Sequence, residues 1–154
     1  MKKLILLLLA ILFGCSSLDS YNIYIDSAEG DNKNSGNSKQ SAWATLVNLD
    51  KTKLKPGTTI HLKTDSEFSG VIEINDSGTE NNPIILKSYG NGNKPIVNGN
   101  GEKKHTILLN NVEHIIIDGI EISNKGTERL EARTGLTILA EDSGELNNIV
   151  IQNM

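Results

Sequence analysis

"HIIIDGIEIS", residues 114 to 123, sets two apolar bursts on either side of Asp118-Gly119. Ile115 to Ile117 and Ile120 to Ile122 lie too close together to be long strands joined by a hairpin, and Asp-Gly forces a sharp bend between them. A chain that runs as strand, turns a corner within two residues and resumes as strand behaves like a coil of a solenoid. The competing arrangement is an antiparallel β-sandwich, whose strands usually alternate apolar with polar residues and meet in hairpins.

Working outward, the same texture recurs after residue 70: Val71-Ile72-Glu73-Ile74, Ile84-Ile85-Leu86, Ile96-Val97, Ile107-Leu108-Leu109, Leu136-Thr137-Ile138 and Ile149-Val150-Ile151. Gly, Asn, Asp or Pro punctuates almost every gap. None of these gaps has room for the crossover helices of an α/β sheet. The chain holds 19 Ile and 18 Asn among 154 residues, with 4% aromatics; Ile favours strands and Asn favours tight, left-handed corners. "NPIILKSYG" superposes on "HTILLNNVE" with Ile84 over Ile107, and Val97 falls over Ile120, each 23 residues on. "EHIIIDGIEI" superposes on "NNIVIQNM" with Ile115 over Ile149, 34 residues on, and the excess is assigned to the polar insertion "NKGTERLEART", residues 124 to 134. A repeat in this range with short strands and corner insertions is the pattern of a parallel β-helix. Asn110, Asn111, Asn147 and Asn148 are expected at stacked corners.

Upstream, "YNIYIDS" alternates Tyr21, Ile23 and Ile25 with Asn22, Tyr24 and Asp26, which predicts a strand. "AEGDNKNSGNSKQS" is loop. Trp43, Leu46, Val47 and Leu49 have roughly helical spacing and predict one short helix. Lys55-Pro56-Gly57 is a turn, and Thr59 to Leu62 a strand.

Taken in order, "YIDSAEGDNKNSG", "WATLVNL", "LKPGTTIHLK", "SGTENNPIILKSYGNGNKPIVNG" and "VEHIIIDGIEISN" resemble the amino-terminal part of secreted bacterial right-handed parallel β-helix proteins of the pectate-lyase-like superfamily. The resemblance covers nearly all of the chain after residue 20. It implies an all-β, right-handed parallel β-helix whose amino-terminal cap, residues 21 to 70 with one short helix, covers the first coil; residues 71 to 154 are then the first two to three coils. "NNIVIQNM" ends inside a coil, so the chain is expected to be an amino-terminal fragment or a truncated product, inactive alone. By the same resemblance the partner is a polysaccharide. The expected activity is that of a polysaccharide lyase acting on acidic, uronate-containing glycans, in which a base removes the proton beside a carboxylate. The alternatives are a β-helix glycoside hydrolase with paired carboxylic acids and a non-catalytic, glycan-binding or adhesin-like surface scaffold. No catalytic motif of the family maps onto this chain, and the catalytic residues are expected beyond residue 154. No cofactor is expected here, although a longer form could hold Ca²⁺.

"LLLLAILFGCSSLDS", residues 6 to 20, gives the address. Leu4 to Phe13 is ten apolar residues after Lys2 and Lys3, too short for a span of about 20 and suited to an export signal. Leu12-Phe13-Gly14-Cys15 resembles the lipobox of bacterial lipoproteins. That resemblance implies a signal peptide at residues 1 to 14, acylation of Cys15 and a tether at residues 15 to 20, with the protein anchored in the cell envelope at the outer membrane or cell surface. Loss of Lys2 and Lys3 would leave 13 Lys and Arg against 19 Asp and Glu, which argues against a nucleic-acid partner. Cys15 is the one cysteine, so no disulfide framework and no thiolate metal site is available.

Candidate substrate contacts are Lys125, Arg129 and Arg133, the cations of the insertion, since a basic wall at a β-helix corner could meet a glycan; a solvated charged loop with Glu128 and Glu131 is the competing reading. Asp26, Glu29 and Asp31 around Gly30 lack the spacing of a calcium loop and are read as turn-forming acids. His61, His105 and His114 share no spacing, and no metal site is assigned to them. Gly90-Asn91-Gly92-Asn93 and Gly99-Asn100-Gly101 precede no helix, so they are corners rather than phosphate loops.

Overall fold

The computed structural model describes residues 21–128, 130–141 and 144–154. Among them run eleven strands: β1 (Tyr21–Ile25), β2 (Thr58–Lys63), β3 (Glu67–Ser69), β4 (Ile72–Ile74), β5 (Ile84–Tyr89), β6 (Ile96–Asn98), β7 (His105–Asn110), β8 (Ile115–Asp118), β9 (Glu121–Ser123), β10 (Thr134–Leu139) and β11 (Ile149–Gln152). They build three parallel sheets, ordered β1-β2-β5-β8-β11, β3-β6-β9 and β4-β7-β10. Each sheet takes its strands from successive coils, which is the parallel β-helix that the Ile bursts predict. β2-β3-β4, β5-β6-β7 and β8-β9-β10 are three coils, and β11 opens a fourth.

Register turns the sequence into a core. Ile23, Ile60, Leu86, Ile117 and Ile151 form one column through the first sheet. Phe68, Val97 and Ile122 form a column in the second, and Ile72, Ile107 and Leu136 one in the third. The middle members are sealed, with Ile60, Leu86, Val97, Ile107 and Ile117 all at 0% exposure. Burying each such side chain contributes about 1.5–3 kcal/mol, so the stacking of like on like supplies the cohesion of the solenoid.

The repeat differs from the one the sequence suggests. Ile84 pairs with Ile115, 31 residues on, and not with Ile107; Ile107 belongs to the third sheet, opposite Ile72. Val97 pairs with Ile122, 25 residues on. All three faces of a coil carry similar Ile triplets, so a 23-residue shift matches one face to the next. The pairing of Ile115 with Ile149 holds. The extra length of the third coil is divided between two corners, residues 124–133 and 140–148.

Corners use the residues suited to them. Asn100, Asn111 and Asn148 sit at φ 54°, 53° and 57°, the left-handed region that Asn tolerates. Asn147 donates its backbone N–H and side-chain N–H to Oε1 of Glu113, at 3.1 and 2.9 Å, tying one coil to the next. Asn124 accepts from the backbone N–H of Gly101 at 3.0 Å and donates to the carbonyls of Lys103 and Thr134, both at 3.0 Å.

The expected short helix is a 3-10 helix, Leu46–Lys51, whose N-cap Thr45 accepts from the N–H of Val47; a second 3-10 turn spans Lys39–Ser41. Trp43 lies outside both. Its backbone is committed to strand pairing, donating to Tyr24 O at 2.9 Å and accepting from Asp26 N at 2.8 Å, while its indole N–H donates to Asn34 O at 2.9 Å. Asp26 and Asp31 are turn formers: Oδ1 of Asp26 accepts from the N–H groups of Ala28 and Glu29, and Oδ1 of Asp31 from that of Lys33.

Candidate functional site

The outer face of the β4-β7-β10 sheet carries a cleft. Because Ile72 and Ile74 point into the core, Glu73 between them faces out, and register places Glu73 beside Leu108 and Leu108 beside Thr137. The 3-10 helix packs next to β4 and brings Asp50 to the rim. On the other side, the corner between β6 and β7 delivers Lys103 and Lys104, and the first residue of β7 is His105. Together with Val71 these groups line a hollow of about 380 Å³. A second hollow of about 380 Å³ shares Asp50 and Glu73 with it and continues past Asp76 and Asn75. Glu73 accepts from Nδ2 of Asn75 at 3.2 Å, and Asp76 accepts from the N–H of Leu54 at 2.8 Å.

His105 is held from behind. Its Nδ1 lies 2.8 Å from Oγ1 of Thr134 and 2.6 Å from Oγ1 of Thr137, and the two hydroxyls are 2.7 Å apart. Such support fixes the plane of a ring that lines the cleft. Carboxylates that accept, ammonium groups that donate, and an oriented imidazole thus line one hollow whose surface is largely apolar, with Val71 and Leu108 among its lining. This arrangement can bind a polyhydroxylated molecule.

The insertion forms a separate hollow of about 450 Å³ lined by Asn124, Lys125, Gly126, Glu128, Leu130 and Arg133. Lys125 and Arg133 are therefore brought together. Nε of Arg133 is committed to the carbonyl of Gly101 at 2.7 Å. Arg129 and Cys15, the other two residues singled out in the sequence, lie outside the described residues.

The outer face of the first sheet is different. Tyr24 and His61 stack with centroids 4.3 Å apart and planes at 5°, and Tyr89 meets both edge-on at 5.3 and 6.1 Å. Nζ of Lys39 and of Lys63 sit 5.7 and 5.6 Å from the Tyr89 centroid. His61 Nε2 is 2.8 Å from Oδ1 of Asn22. Burial, with Lys87 and Lys39 adding repulsion, lowers the His61 pKa from 6.5 to about 4. Burial, reinforced by Asp26, Tyr24 and Glu29, raises that of Tyr89 to about 12. The rings spend their faces on one another and on lysine, so this surface is a packed ladder and not an open stacking platform. His114 is a corner residue at φ 55°, its Nδ1 3.2 Å from Nδ2 of Asn148.

Sequence reasoning missed Asp50, Glu73, Lys103 and Lys104, and left His105 without a role. The outward position of Glu73 was available from the Ile-Glu-Ile alternation. The convergence was not, because the cleft draws on three separate segments.

No family model matches the chain. It is 26% identical over 184 aligned positions to the lacto-N-biosidase of Bifidobacterium longum subsp. longum, an alignment covering 85% of this chain and 11% of that protein. Two crystal structures of GH136 lacto-N-biosidase from Eubacterium ramulus are also similar. The selenomethionine derivative superposes with a TM-score of 0.69 at 23% identity over 85% of this chain and 27% of its own. The native protein gives 0.68 at 25% identity over 84% and 26%. The chain thus spans about a tenth of the curated relative and about a quarter of the solved chains. These relatives are glycoside hydrolases, and they overturn the expectation of a polysaccharide lyase for acidic, uronate-containing glycans. The error has a physical origin: stacked coils fix where side chains can stand, and the same stack hosts unrelated chemistries. Among the expected alternatives, the β-helix glycoside hydrolase fits better.

Proposed function

We propose that this chain forms opening coils of a carbohydrate-active glycoside hydrolase whose substrates are glycans ending in a lacto-N-biose-type disaccharide. The observation that carries the reading is the agreement of sequence and fold: 26% identity to a lacto-N-biosidase across 85% of the chain, with TM-scores of 0.69 and 0.68 to solved lacto-N-biosidases. Hydrolysis of this kind uses paired carboxylic acids; no residue of this chain is assigned that role. Lys125 and Arg133, which share one hollow at the inserted corner, are retained as substrate contacts. The leader and Cys15 would place the enzyme at the cell envelope on an acyl anchor, where glycans from outside arrive.

The test is to supply the complete gene product with an oligosaccharide ending in lacto-N-biose. Release of the free disaccharide is expected. An intact substrate across a panel of such oligosaccharides would overturn the reading. The anchor is tested separately by metabolic labelling with a fatty acid, which should mark the wild type and fail to mark Cys15→Ser; equal labelling of both contradicts it.

A further inference from the structure

We propose that the cleft on the outer face of the β4-β7-β10 sheet is a binding site for a neutral oligosaccharide. The proposal deepens the hydrolase reading and rests on it for the choice of sugar; the chemistry of the site comes from the cleft itself.

The charges decide the ligand class. Asp50 and Glu73 stand in the same hollow as Lys103 and Lys104, yet among the described residues no ion pair closes it. Two carboxylates and two ammonium groups cancel formally, so a ligand carboxylate finds no net attraction here to offset the cost of stripping its water, whereas a neutral ligand bears no such cost. A hydroxyl group donates and accepts at once. A row of hydroxyls on a sugar ring can therefore donate to Asp50 or Glu73 while accepting from Lys103 or Lys104, and it exploits a gap that the side chains do not bridge themselves. Val71 and Leu108 offer an apolar patch for the C–H face of a pyranose.

The build of the site supports the same assignment. Glu73 and Leu108 are held on paired strands. His105 is held through Nδ1 by two threonine hydroxyls, and its Nε2 has no partner among the described residues, so it is available to a sugar oxygen. An imidazole held in this way loses little freedom on binding. About 380 Å³ lies within the range of small-molecule sites, roughly 300–1,000 Å³. The adjoining hollow past Asp50 and Glu73 adds about as much again, so the groove can seat more than one sugar ring.

The experiment is a calorimetric titration of the full chain with lacto-N-biose, and with an acidic disaccharide of the same size carrying one glucuronate. Saturable binding of the neutral sugar is expected, with the acidic one weaker by about tenfold or more. Glu73→Gln and Lys104→Met should each weaken binding of the neutral sugar by about tenfold or more, the loss of one charge-assisted hydrogen bond, at unchanged melting temperature. Lys87→Met, on the outer face of the first sheet, should bind as the wild type does. Absence of saturable binding, variants within about twofold of the wild type, or equal affinity for the acidic sugar would each overturn the proposal. The two readings fail separately. If the complete gene product hydrolyses its substrate with the same KM in Glu73→Gln, the hydrolase stands and the cleft falls. If the cleft binds the sugar and the complete product cleaves nothing, the cleft stands and the hydrolase falls.

Discussion

Acidification should destabilise this fold through His61 before the bulk of its carboxylates titrate. The ring is stacked on Tyr24, edge-on to Tyr89 and 8% exposed, and its pKa falls from 6.5 to about 4. The unfolded chain therefore binds a proton that the folded chain refuses, and stability rises with pH across that window. The contribution is fully present above the unfolded value of 6.5 and is lost as pH falls toward about 4. Integrating proton binding between those two values gives a loss of about 2 kcal/mol from about pH 7 to about pH 5. Solvent reaching the ring edge reduces this to about 1–2 kcal/mol. The assay is urea denaturation of the wild type and of His61→Phe at both pH values. Phenylalanine keeps the stacked ring and cannot take a proton. It also loses the contact of Nε2 with Asn22, but that cost is independent of pH. Carboxylates common to both proteins cancel in the comparison. The wild type should lose about 1–2 kcal/mol more than the variant over the interval. Equal losses, or a wild type that gains stability on acidification, would refute the reasoning.

Three further outcomes follow from packing. Leu109, at 0% exposure, and Ile138, at 42%, occupy the same column of the third sheet; by denaturant midpoint Leu109→Ala should cost about 2–5 kcal/mol and Ile138→Ala about 1 kcal/mol or less. Oγ1 of Thr64 is buried and finds no hydrogen-bond partner among the described residues, so Thr64→Val should leave the melting temperature unchanged or raise it, the unsatisfied hydroxyl costing about 1–3 kcal/mol as it stands. A Cβ at Gly30 would lie 2.2 Å from the carbonyl oxygen of Trp43 and 2.5 Å from that of Asp26; Gly30→Ala should destabilise by about 1–3 kcal/mol, seen as an earlier unfolding transition and a change in Trp43 fluorescence.

The fold was legible because the period of two and the corner residues are local properties. Tyr21 to Ile25, the Ile bursts after residue 70 and the Asp118-Gly119 corner each reveal themselves within a few residues. Which burst stacks on which did not, since the three faces of a coil make the same demand for Ile, Leu and Val, and only the closed coil distinguishes them. β3 escaped notice because Phe68 is its single buried residue, flanked by Glu67 and Ser69. Trp43 looked helical by spacing, but its N–H is taken by Tyr24 of β1 and its C=O by Asp26 just after that strand. The cleft was the least legible feature. Asp50 comes from a 3-10 helix, Glu73 from β4, and Lys103 to His105 from the next coil, and no spacing rule connects groups that only register brings together. Reading an activity from the resemblance failed for the opposite reason: the motifs that identify the stack lie in its corners and core, away from any reacting group.

The central claim, that this chain belongs to a glycoside-hydrolysing enzyme, is tested most directly by mass spectrometry of the products formed by the complete gene product in heavy-oxygen water. Hydrolysis breaks the glycosidic bond with one molecule of water, so the products should include a free disaccharide and carry the heavy oxygen at the new hydroxyl group. A product lighter by one water, unsaturated and unlabelled, would mean elimination and contradict the account.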